Sequence, residues 1–192
     1  MRVASCIRVV AAAAVLAGCG SEGEAKSPEP PKERPRGVVV DCHTRSEFAY
    51  ADTFPHAYTN PDNVVVGPLV LVGAADTPAD VVREFGGDKV AVLLRPRHRV
   101  TVALSKRTRR GAGLAYGPLP EGRNGIEDAH RVVTFRSCRK GESRSAVDGK
   151  PVTFWMGFVM AVSPRCVPIE VWVDDEPKPH RRTLRMGVPS CP

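Results

Sequence analysis

From Gly37 to Pro192 the chain is built of short stretches rich in Val, Ile and Thr, in which apolar and polar residues alternate. Gly or Pro interrupts them at intervals of about ten residues, a spacing typical of sandwiches and barrels. An amphipathic helix needs apolar side chains three and four apart, whereas a half-buried strand needs them two apart. The second pattern dominates. In residues 99–105, Val100, Val102 and Leu104 face one way, and Arg99, Thr101, Ala103 and Ser105 the other. Ile169, Val171 and Val173 likewise oppose Glu170, Trp172 and Asp174.

Strands are therefore expected at residues 38–42, 64–72, 89–95, 99–105, 113–117, 131–138, 152–162, 168–174 and 181–187. The segment 152–162 is apolar on both faces, which suits a central strand covered from two sides. One short helix is expected after Thr77-Pro78-Ala79-Asp80, with Thr77 as N-cap, Pro78 at the first helical position and Gly86-Gly87 as the stop. The fold class that follows is mainly β: a β-sandwich, immunoglobulin-like as first choice, or a partly open barrel, with one short helix.

The N-terminus has a different character. Arg2 and Arg8 precede an apolar run from Val9 to Ala17, and small residues follow. A basic stretch, a short apolar stretch and a small-residue cut site make an export signal. The apolar run is about half the length of a membrane span. Leu16-Ala17-Gly18-Cys19 resembles the lipobox of bacterial lipoproteins. The resemblance covers only the first twenty residues. It implies a signal peptide at 1–18 and a diacylglyceryl group on Cys19, with the protein held on the extracytoplasmic face of a bacterial membrane by acyl chains such as palmitate.

Residues 20–36, GSEGEAKSPEPPKERPR, lack aromatic and branched aliphatic side chains, so they offer nothing to a core. Four acids balance four bases in this stretch. A neutral, extended spacer is expected over 19–36, and a single β-rich domain over 37–192.

With Cys6 removed and Cys19 acylated, Cys42, Cys138, Cys166 and Cys191 remain. An even number in an exported domain argues for two disulfides. Of the three connectivities, Cys138 with Cys166 and Cys42 with Cys191 are favoured, the latter tying the domain's ends. There is no Cys-x-x-Cys pair, so neither a metal site nor a cofactor is expected.

Loss of Arg2 and Arg8 with the signal lowers the formal net charge from +7 to +5, and the neutral spacer leaves all of it on the domain. Lys106-Arg107-Thr108-Arg109-Arg110 reads as a basic loop. Arg95, Arg97, His98 and Arg99 are expected on a hairpin feeding it, and Arg181, Arg182 and Arg185 on a late strand. Arg95, Arg97, Lys106, Arg107, Arg109, Arg110, Arg181 and Arg185 are the candidate anion-binding residues. If they converge they would attract an envelope polyanion; otherwise they are a solvated loop and a charged edge strand that deters aggregation. Nucleic acid is a poor partner, because no aromatics interleave with the bases.

A second cluster, Asp41, His43, Asp52 and His56, could support acid–base work, although it lacks fixed helical spacing. Phe48, Tyr50, Phe54 and Tyr58 lie in the same stretch and are expected to pack over the sandwich. Trp155 is expected in the core and Trp172 against a neighbouring strand. Neither Gly-x-Ser-x-Gly, Ser-x-x-Lys nor His-Glu-x-x-His occurs. The functional expectation is a lipid-anchored, non-catalytic binding domain at the cell envelope. The alternative is an envelope hydrolase with catalytic residues dispersed in sequence.

Overall fold

The computed structural model describes residues 33–46, 54–108, 110–117 and 125–192. In chain order the elements are β1 (Val38–Val40), β2 (Val64–Val66), β3 (Leu69–Val72), β4 (Asp76–Thr77), α1 (Ala79–Phe85), β5 (Gly87–Leu94), β6 (Arg99–Leu104), β7 (Ala112–Ala115), β8 (Val132–Arg136), β9 (Ser145–Val147), β10 (Lys150–Ala161), β11 (Arg165–Val173) and β12 (His180–Met186). They form two sheets. The first has the order β1-β8-β6-β11-β12-β4, and the second β2-β3-β5-β10-β7, with β9 also on β10. The protein is a β-sandwich of two separate sheets, not a closed barrel.

Alternation explains the core. Val100, Val102, Phe135, Ile169, Val171 and Leu184 of the first sheet meet Leu71, Val90, Val92, Leu94, Trp155 and Val159 of the second in one buried cluster. β10 is apolar on both faces for the expected reason. Its odd residues enter this core, while Phe154 and Met156 join a second cluster on the outer face with Ala57, Val70, Leu93 and Val152. Phe54 and Tyr58 cover that cluster: the Phe54 and Phe154 rings lie 5.8 Å apart, and the Tyr58 hydroxyl donates to the Pro68 carbonyl at 3.0 Å. Phe48 and Tyr50 lie outside the described residues.

Several expectations are corrected. Residues 64–72 are two strands, paired Val66 to Leu69 across a turn in which Gly67 takes φ +53°. Thr77 does not cap α1, because it belongs to β4 and its hydroxyl donates to Asp88 Oδ2 at 2.9 Å; Pro78 is the N-cap and supplies no side-chain bond. The turn from Arg95 to Arg99 joins β5 of one sheet to β6 of the other, so it is a crossover and not a hairpin.

The disulfides are Cys42–Cys138 and Cys166–Cys191, not the expected Cys138–Cys166 and Cys42–Cys191, with Cα separations of 4.8 and 5.8 Å. β1 runs parallel to β8, with Val40 opposite Phe135, so the residues just past both strands meet. Cys166 lies opposite Arg185 in the β11–β12 hairpin, and the short tail after β12 returns Cys191 to it. Both bridges thus staple the first sheet. In immunoglobulin domains the conserved bridge instead joins the two sheets.

Candidate anion-binding face

The outer face of the second sheet is roofed by apolar side chains, whereas that of the first is polar. β6 and β8 place Arg99 and Arg136 as direct cross-strand partners, followed by Thr101 opposite Thr134. The two threonine hydroxyls are buried and hydrogen-bonded at 2.9 Å. Like charges directly opposite destabilise a sheet unless something neutralises them. Arg99 has Asp175 at 3.0 Å, an exposed partner of small worth. Among the described residues, the Arg136 side chain has no ion pair or hydrogen bond.

The segment Glu33-Arg34-Pro35-Arg36, expected in the spacer, instead lies across this face. With Val39, Arg99, Thr101, Thr134 and Arg136 it lines a groove of about 510 Å³. The Arg34 guanidinium stands 5.9 Å from the centre of the Trp172 ring. Trp172 is accordingly buried, at 1 % exposure, but on the outer face and with its own N-terminal segment as a cover. Two buried donors there, Arg34 Nη1 and Trp172 Nε1, have no acceptor. Burying a donor unpaired costs about 1–3 kcal/mol.

Farther along the same sheet, Ser105, Arg107, Pro168, Glu170, Arg181, Arg182 and Thr183 line a cleft of about 730 Å³. Glu170 and Arg181 are cross-strand partners with a loose 3.8 Å ion pair. Seven arginines and two glutamates line the two clefts together.

The predicted anion-binding set is therefore divided. Arg107 and Arg181 meet; Lys106 and Arg110 are exposed on the neighbouring loop, and Arg109 lies outside the described residues. Arg95 is engaged elsewhere, its guanidinium 4.3 Å from the Tyr58 ring centre. Burial pushes the Tyr58 hydroxyl up to about 12, against the pull of Arg95. Arg97 sits exposed in the crossover with φ +68°. Arg185 is structural: it pairs with Asp76 at 3.3 Å and donates to the carbonyls of Ala75 and Pro189. Arg34, Arg36 and Arg136 were missed. For Arg136 a signal existed, since strand parity puts it outward with Thr134; for Arg34 and Arg36 the local composition of a spacer concealed it.

The crossover is fixed by Asp174, whose carboxylate accepts from the Arg99 backbone N–H at 2.8 Å and lies 2.7 Å from His98 Nδ1. Burial would raise its pKa, but the Arg99 N–H and His98 outweigh that and hold the carboxyl below its usual value.

Among the described members of the second cluster, Asp41, His43 and His56 do not gather into one group. The His43 backbone N–H donates to Asp41 Oδ1 at 2.9 Å, closing a local turn. His56 is exposed and sits 3.3 Å from Asp148. Asp52 lies outside the described residues. Trp155 is in the core as expected, its indole donating to the Asp41 carbonyl at 3.0 Å. No group of three or more His, Cys, Asp or Glu among the described residues could hold a metal ion. No helix among them is long and apolar enough to cross a membrane. Compared with protein families, curated proteins and solved structures, the chain matches none, so its function is read from the residues themselves.

Proposed function

We propose that this is a lipid-anchored protein of the bacterial cell envelope whose β-sandwich binds an anionic envelope polymer without catalysing a reaction. The observation that carries the reading is the arginine-lined outer face of the first sheet, with Arg99 opposite Arg136 at its centre. A polyanion would relieve their repulsion through charge-assisted hydrogen bonds to the two guanidinium groups. Planar guanidinium groups suit phosphate and carboxylate oxygens, which they engage through paired hydrogen bonds. In the Thr101–Thr134 pair one hydroxyl donates to the other, which leaves a single O–H on the groove floor. The lipobox resemblance at Cys19 supports the address.

The test is binding of detergent-solubilised full chain to poly(glycerol phosphate) across a salt series. Affinity should fall steeply with salt, and the Arg99→Ala, Arg136→Ala double variant should bind roughly tenfold more weakly. Binding no stronger than that of a charge-matched basic protein would overturn the reading.

A further inference from the structure

The first sheet carries a second basic cleft on the same outer face as the Arg99 and Arg136 groove. Arg181 lies opposite Glu170 across the β11–β12 pair. The Ser105 N–H donates to the Pro168 carbonyl at 3.0 Å, which brings the turn carrying Arg107 against β11. Arg107, Arg181 and Arg182 therefore line one cleft. The Arg181 side chain is 78 % exposed and its pairing with Glu170 is loose, at 3.8 Å, so its guanidinium is open to a further anion.

With every acid counted, both clefts stay cationic. Among the described residues, Glu170 is the acid lining the second cleft, against Arg107, Arg181 and Arg182. Glu33 is the acid lining the first, against Arg34, Arg36, Arg99 and Arg136. Beside the first, Asp175 pairs with Arg99, and Asp174 is taken up by His98 and the Arg99 N–H. Asp76 and Glu176, at the margins of the sheet, are paired with Arg185 and His180. Between the clefts the outward residues of β6 and β11 are Thr101, Ala103 and Trp172, none of them charged, and Arg34 lies over Trp172. Ala103, Glu170 and Arg181 stand in one row across β6, β11 and β12. Four residues along β6 at about 3.3 Å each, and two strand spacings of about 4.8 Å, put the Arg99 and Arg181 backbones roughly 16 Å apart.

We infer that the two clefts are subsites of one track, and that the ligand is a linear polyanion long enough to occupy both at once. The inference rests on the polyanion reading of the groove and adds Arg107 and Arg181 to it. A chain held at the first cleft reaches the second as an intramolecular step, which raises its affinity beyond that of either cleft alone. A single phosphate or a lone lipid headgroup is too short to gain from the second cleft.

Oligo(glycerol phosphate) chains of increasing length, titrated against the detergent-solubilised full chain, test this. Affinity should step up by about a hundredfold or more between glycerol 3-phosphate and the shortest oligomer that covers both clefts. Arg107→Ala, Arg181→Ala should remove the step, yet leave shorter ligands within about twofold, the statistical loss of one subsite of a pair. Lys106→Ala, Arg110→Ala removes the same charge outside the clefts and should keep the step. All four side chains are exposed, so neither variant removes core packing. A smooth rise with length, equal in the parent and the Arg107, Arg181 variant, would overturn the inference. The groove reading would then still stand if Arg99→Ala, Arg136→Ala weakened binding. Loss of the step in the Lys106, Arg110 variant would also overturn the inference, by making net charge the cause. Polymer binding no stronger than that of a charge-matched basic protein would overturn the reading and the inference together.

Discussion

Trp172 shows how a single side chain can have the expected burial for an unexpected reason. Its parity with Glu170 and Asp174 puts it on the outer face, where a neighbouring strand cannot cover it, and Arg34 covers it from outside the sheets. Arg34→Ala should therefore red-shift the tryptophan emission and raise its quenching by acrylamide, at a cost of about 1–2 kcal/mol in urea unfolding. Unchanged emission would mean that the segment does not cover the indole. At Asp174 the prediction concerns pH. Its folded pKa lies below the ordinary value of 3.8, so its stabilising contribution is complete above that value and fades as pH falls through the folded one. Asp174→Asn should lower stability at neutral pH and flatten the stability loss below about pH 4. A variant with the parental acid slope would contradict it.

Among the elements, the strands were legible because alternation is local and each residue reports its own face. The 64–72 run was misread because two short strands and a Gly67-Pro68 turn keep the same apolar character as one long strand. The disulfide partners were not legible at all. They depend on β1 lying parallel to β8, a pairing between segments far apart in the chain. The Cys42–Cys138 bridge closes a separation of 96 residues and the Cys166–Cys191 bridge one of 25. Loop entropy then predicts losses of roughly 5 and 3 kcal/mol when each pair is replaced by alanine. Urea unfolding of the two double variants checks the order, and linked peptides in a mass-spectrometric digest check the pairing. β10 offers another prediction. A Cβ at Gly157 would lie 2.3 Å from a Tyr116 ring carbon and 2.6 Å from the Ala115 carbonyl oxygen. Because Tyr116 is itself held by its hydroxyl on the Val90 carbonyl, Gly157→Ala should cost about 1–3 kcal/mol.

For the whole molecule, the two outer faces differ in kind. One is sealed by a loop and a hairpin over an apolar cluster; the other carries arginines beneath the segment that precedes β1. If these arginines act on a polymer, loss of Arg99 and Arg136 should both weaken polymer binding and make its salt dependence shallower. Binding of the Arg99→Ala, Arg136→Ala variant to polymer across a salt series measures this.

The sequence by itself determined the β-rich class, the inward and outward faces of most strands, the central place of β10 and the even set of four cysteines. Each of these follows from local periodicity or from counting. The tertiary structure decided which bases meet and which cysteines pair. It also drew Glu33 to Arg36 out of the expected spacer and onto Trp172. A charge run states that cations are present but not what they face. That depends on which strands become neighbours, and here Arg99 meets Arg136 only because β6 and β8, distant in sequence, pair their backbones.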